Sequence, residues 1–143
     1  MTSATFNEAN NEILAAFKAA WDTTGFVVAY ENVKSQDTVP PSGSAPWARV
    51  TLRHTFGDQA SLASVGGVRR WRRDGLVTVQ IFIPLGEGLS EGYSLAKTVV
   101  DAFEGTATAS SVWFRNVRVN EVGSDGEWYQ VNVLADFTYD EVK

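Results

Sequence analysis

Val68–Gly88 reads VRRWRRDGLVTVQIFIPLGEG, a basic cluster running straight into the most apolar strand of the chain. Four of the twelve Lys+Arg residues, Arg69, Arg70, Arg72 and Arg73, lie in this stretch. Leu76 to Ile83 alternates with the period of a strand, Val77, Val79, Ile81 and Ile83 on one face and Leu76, Thr78, Gln80 and Phe82 on the other. Burying each side chain of the β-branched face contributes roughly 1.5–3 kcal/mol, so this strand is expected at the centre of a sheet. The arginines cannot follow it inside, because an unpaired buried guanidinium is prohibitively costly. Asp74–Gly75 has the composition of a tight turn, which predicts a hairpin between Val68–Arg73 and Leu76–Ile83.

A chain of 143 residues is expected to form one domain, residues 1–143, burying about 68–70% of its unfolded surface. It has no cysteine, which excludes disulfides, thiolate metal sites and a cysteine nucleophile. With 17 Asp+Glu against 12 Lys+Arg the net charge is −5, which argues against nucleic-acid binding as the overall purpose. Five tryptophans and eight phenylalanines suit a β-rich core or a sizeable protein interface. No run approaches the ~20 apolar residues of a membrane span and no signal-peptide pattern opens the chain, so a soluble protein made in the cytosol, without a membrane partner, is expected.

Working outward, Thr5 and Glu8 have capping-box spacing, and Phe6, Ile13, Phe17 and Trp21 recur near helical spacing, predicting a helix over Phe6–Trp21 closed near Gly25. Phe26–Tyr30 reads as a strand, and the Pro/Ser/Gly-rich Asn32–Pro46 as a long loop. Val50, Leu52, His54 and Phe56 alternate with Arg49, Thr51, Arg53 and Thr55, predicting a half-exposed strand, with Gly57–Gly67 as a second loop. Ser90 can cap a helix whose Ala96, Val99, Val100 and Phe103 form an apolar stripe ended by Gly105. Val112–Val122 and Trp128–Tyr139 predict a long hairpin across Gly123–Gly126. Phe114 is out of phase with Val117 and Val119, predicting a bulge near Arg115–Asn116. The order α-β-β-β-β-α-β-β implies an α+β fold, a mostly antiparallel sheet with two helices packed on one face.

Few residues offer chemistry. His54 is the single histidine, and with Leu52 and Phe56 on its face it is expected to be a hydrogen-bonded structural residue rather than an acid/base catalyst. Asp58, Asp74 and Asp125 sit where turns favour aspartate. Neither metal-ligand spacing nor a complete phosphate loop is present; Gly86-Glu87-Gly88 lacks the remaining elements of either phosphate motif. No catalytic, cofactor or metal residue is therefore assigned. The strongest candidate site is Arg69, Arg70, Trp71, Arg72 and Arg73, with Arg49 and Arg53 as possible additions from the neighbouring strand. In an extended segment Arg70 and Arg72 face one way, Arg69, Trp71 and Arg73 the other. Three readings compete: phosphate contact with Trp71 stacking on a base, pairing with carboxylates of another subunit, and a solvated face. Arginine and tryptophan are both enriched at protein interfaces, which favours the second.

WARVTLRH (Trp47–His54), VGGVRRWRRDGLVTVQIFIPLGEG (Val65–Gly88), AFEG (Ala102–Gly105), VWFRNVRVNEVGSDGEWYQVNV (Val112–Val133) and ADFTYDEV (Ala135–Val142) together resemble the tail terminator proteins of long-tailed bacteriophages. The resemblance implies a small α+β virion subunit without catalytic residues. It implies a homo-oligomer, usually a hexameric ring, that caps the finished tail tube and presents its other face to the head connector or a head-completion protein, with DNA passing through. It places the protein at the head-proximal end of the tail after assembly in the host cytoplasm. The alternatives are a nucleic-acid-binding module using Arg69–Arg73, or another neck or tube subunit.

Overall fold

The computed structural model describes residues 3–34, 40–41, 45–61 and 67–143. Thr5 caps helix α1 (Phe6–Trp21), accepting from the Glu8 amide while the Glu8 carboxylate accepts from the Thr5 amide. A short 3₁₀ turn, Asp22–Thr24, extends the helix to Gly25, which takes the left-handed conformation (φ 75°) the chain needs to turn into β1 (Val27–Tyr30). Strands β2 (Trp47–Gln59) and β3 (Arg70–Pro84), helix α2 (Ser90–Phe103), and strands β4 (Trp113–Asp125) and β5 (Trp128–Val142) follow. Leu89, not Ser90, precedes the first turn of α2, and no side chain caps it.

The sheet order is β1-β2-β3-β5-β4, with β1–β2 parallel and the other pairs antiparallel. This is the expected α+β class, and the Leu76–Ile83 strand lies at its centre. Val77, Val79, Ile81 and Ile83 meet Val131, Val133, Ala135, Ala48 and Val50, and onto this face pack Ile13, Phe17 and Trp21 of α1 and Leu95, Ala96, Val99 and Phe103 of α2. A Cβ on Gly92 would lie 2.9 Å from Ile83 Cδ1, so the glycine sets how closely α2 approaches the sheet. Trp47 and Phe82, though buried, belong to the opposite face, where no helix packs.

The expected hairpin at Asp74–Gly75 does not form. Both residues lie inside β3, which runs unbroken from Arg70 to Pro84, with β2 on one side and β5 on the other along the arginine half. Two contacts hold it straight. Gly75 lies opposite Phe137, whose ring occupies the space a side chain would need, and the buried Asp74 carboxylate is bound by neighbours on its own face. The Asp-Gly pair is thus a close-packing device that composition alone cannot distinguish from a turn.

The expected loop from Gly57 is likewise corrected, because β2 continues through Gln59 and pairs Gly57, Asp58 and Gln59 with Arg73, Arg72 and Trp71. A bulge between His54 and Phe56 makes this possible, and it puts Phe56, 57% exposed, out of phase with His54. Residues 62–66 of that loop, and 35–39 and 42–44 of the Asn32–Pro46 loop, lie outside the described residues. The bulge expected in β4 is present between Arg115 and Arg118, with Asn116 at φ 52°. The β4–β5 hairpin is tighter than expected: Gly123–Asp125 pair within β4, leaving Gly126–Glu127 as the turn.

Candidate assembly interface

Because β3 is continuous, the phase of its alternation assigns every residue of the basic stretch to a face. Arg70 and Arg72 fall on the open face with Asp74, Leu76 and Thr78; Trp71 and Arg73 fall on the helix side with Gly75 and Val77. Arg73 donates to Glu141 at 3.0 Å, and its guanidinium lies over the rings of Phe6 (5.3 Å) and Trp71 (5.7 Å). The two side chains of this ion pair are only 16% and 18% exposed, so Arg73 fastens the start of α1 to the sheet. Arg69 is exposed, and its backbone pairs with that of Lys143, which closes the end of the sheet.

On the open face Arg72 Nε donates to both Asp74 oxygens (3.3 and 3.2 Å), and Thr138 Oγ1 donates to Asp74 Oδ1 at 2.5 Å. Arg115 donates to Thr138, and its Nη2 is 3.7 Å from Asp74 Oδ1. Asp74 is 7% exposed, a buried carboxylate shared by two half-exposed arginines. Arg118 pairs with Asp136 (3.6 Å), Arg70 with Asp140 (3.8 Å), and Arg53 with Glu31. Arg49 has no carboxylate among the described residues; its guanidinium lies over Trp47 (5.4 Å) and Phe82 (5.7 Å), which stack at 4.2 Å with Trp128 edge-on. Of the seven candidate residues, Arg49, Arg53, Arg70 and Arg72 therefore share one surface, while Trp71 and Arg73 serve the other side. Arg115, Arg118 and Trp113 complete that surface and were missed, although the phase change at Asn116 read through to Arg118 would have located them.

His54 accepts its expected structural place. Its Nε2 is 2.6 Å from the Tyr139 hydroxyl, and its ring is edge-on to Phe6, Phe137 and Tyr139. Burial, then the Arg73 charge, pull the imidazole below its ordinary value, and burial pushes the Tyr139 phenol up to about 12. Both are neutral at pH 7, and the imidazole tautomer sets which of the two donates. A shallow cavity of about 220 Å³ opens beside them, lined by Phe6, Thr55, Phe56 and Arg73. Among the described residues no three His, Asp or Glu side chains gather as a metal site, and no helix is long and apolar enough to cross a membrane.

These contacts shape and charge a surface; none of them activates a nucleophile. The class of protein comes from sequence comparison. The chain belongs to the phage tail terminator protein family, whose model matches residues 12–136. That family is structural, and its members are components of the virion tail. No curated protein matches the chain. A solved structure of 20% sequence identity shares the fold with a TM-score of 0.56, over 91% of this chain and 94% of that one.

Proposed function

We propose that this protein acts as a single domain that assembles into a ring, a hexamer on the family resemblance, on the end of the completed tail tube. The ring stops further addition of tube subunits and presents its other face to the head connector or a head-completion protein. It works at the head-proximal end of the tail, after assembly in the host cytoplasm, and DNA passes through it. No reaction is assigned to it. The carrying observation is the family match over residues 12–136, which takes in α1 from Glu12 onward and all of α2 and reaches every strand. The geometry supports the reading through a sheet face left open by the helices, and capping by a ring draws its affinity from repeated weak contacts.

The test is polymerisation of the purified tail tube subunit with and without this protein. Termination predicts that added protein shortens the tubes and labels one end only. Tubes of unchanged length, with the protein remaining monomeric beside them, would refute the proposal. Duplex DNA binding that falls steeply with salt in the absence of any ring would instead support a nucleic-acid module.

A further inference from the structure

The fold sorts charge by face. Strand alternation and the β4 bulge place Arg49, Arg53, Arg70, Arg72, Arg115 and Arg118 on the open side of the sheet. These are six of the eight arginines in the chain. Among the described side chains the acids on that face are Asp58, Asp74, Asp136 and Asp140, with Glu31 at its rim; all but Asp58 are engaged by at least one of these arginines, and the six arginines still outnumber the five acids. The helical layer has the opposite balance: Glu8, Glu12, Asp22, Glu91, Asp101 and Glu104 against Lys18 and Lys97. Both lysines are occupied by aspartates of the same layer, at 2.6 and 2.7 Å. A chain of net charge −5 is thereby divided into a basic sheet side and an acidic helix side.

We infer that the open sheet face docks on the acidic helix layer of a second copy of this chain. The inference rests on the ring reading above and names the junction. Sheet-to-sheet contact between copies would press arginine against arginine, which is repulsive. Sheet-to-helix contact pairs opposite charges, and a patch whose complement lies elsewhere on the same molecule joins copies head to tail and closes into a ring when the rotation allows. Both sides also offer aromatic anchors: Trp113, 45% exposed beside Arg115, on the sheet, and Phe6 and Tyr93 on the helices.

Charge swapping tests the junction. Arg49→Glu with Arg118→Glu swaps two charges on the sheet side, and Glu91→Lys with Glu104→Lys swaps two on the helix side and cancels its acidic excess, without touching the Thr5 cap or the buried Asp74. Each double variant, shown to be folded by its thermal transition, is expected to self-associate about tenfold more weakly or worse in analytical ultracentrifugation. An equimolar mixture of the two is expected to recover assembly, because alternating copies set the swapped glutamates against the swapped lysines at one junction and leave the native pairing at the next. Wild-type rings that both double variants also form overturn the junction and leave the ring reading standing. Rings lost in both variants and not recovered in the mixture also overturn it, and assign the face to the tube or to DNA. A wild-type chain that forms no ring, alone or on tubes, removes the ring reading itself.

Discussion

Gly75→Ala separates a continuous central strand from a hairpin turn at Asp74–Gly75. In the strand, the new methyl group would collide with the Phe137 ring and with the backbone carbonyl of Arg53, both closer than any real Cβ contact. The ring can tilt, but the carbonyl can retreat only by moving β2 away from β3. Overpacking of this kind costs typically about 1–3 kcal/mol, and a backbone obstacle puts it at the upper end. The smaller entropy of an unfolded chain with alanine returns about 0.4–1 kcal/mol, because the native φ at Gly75 is not left-handed. The net loss is about 2 kcal/mol, which for a domain of this size lowers the melting temperature by roughly 4–8 °C. Circular dichroism melts of wild type and variant measure it. A double-mutant cycle with Phe137→Leu sharpens the result, since trimming the ring should make the alanine less harmful by at least about 0.5 kcal/mol. A midpoint within about 1 °C of wild type, or no coupling to position 137, would refute the continuous-strand reasoning.

Asp74→Ala removes the shared acceptor of Thr138, Arg72 and Arg115; urea unfolding should show a loss of about 1–3 kcal/mol, limited by the access both arginines keep to water. His54 stays neutral in the fold below its ordinary pKa of 6.5, so as pH falls through that value the unfolded chain binds the proton first. Stability present above about pH 6.5 is then lost until the lower folded value is passed, and His54→Gln should remove this part of the slope in urea midpoints taken from about pH 7 to about pH 5. Thr5→Ala deletes the cap on the Glu8 amide and should cost about 1 kcal/mol by the same measurement. Glu12 ties α1 to the α2–β4 connection by accepting from the Ser110 amide (2.9 Å) and hydroxyl (2.7 Å); Glu12→Ala should raise amide exchange at Ser110 and Val112 with a global loss below about 1.5 kcal/mol.

Where a residue pattern has one physical interpretation, the fold was legible in the sequence. Thr5 with Glu8 before an apolar stripe located α1, the β-branched run located the central strand, and the phase slip at Phe114 located the β4 bulge. Asp74–Gly75 failed because the same pair serves a turn and a close approach of Phe137, 62 positions later in the chain. The end of β2 failed because the bulge at Thr55 disguises strand as loop, and Gly57 looks like punctuation although it pairs with Arg73. The site was half legible for the same reason. The basic cluster drew attention as a unit, whereas strand geometry divides it, sending Arg73 to Glu141 and Phe6 and leaving Arg70 and Arg72 with arginines distant in sequence.

That division links the surface to the core. Along β3 the residues that bury Val77, Val79, Ile81 and Ile83 are spaced two apart, and the same phase extended toward the N-terminus puts Arg70 and Arg72 outside. A one-residue slip against β5 would turn the four apolar side chains to solvent and carry these arginines to the side covered by the helices, at a desolvation penalty of several kcal/mol each. The register that makes the core therefore also makes the charged face, and the Asp74–Thr138 bond and the Gly75–Phe137 contact pin it where the two halves of the strand meet. Substitutions that loosen that junction should weaken association even without altering an exposed charge. Gly75→Ala should thus lower both stability and self-association, whereas Arg49→Glu with Arg118→Glu should lower mainly self-association.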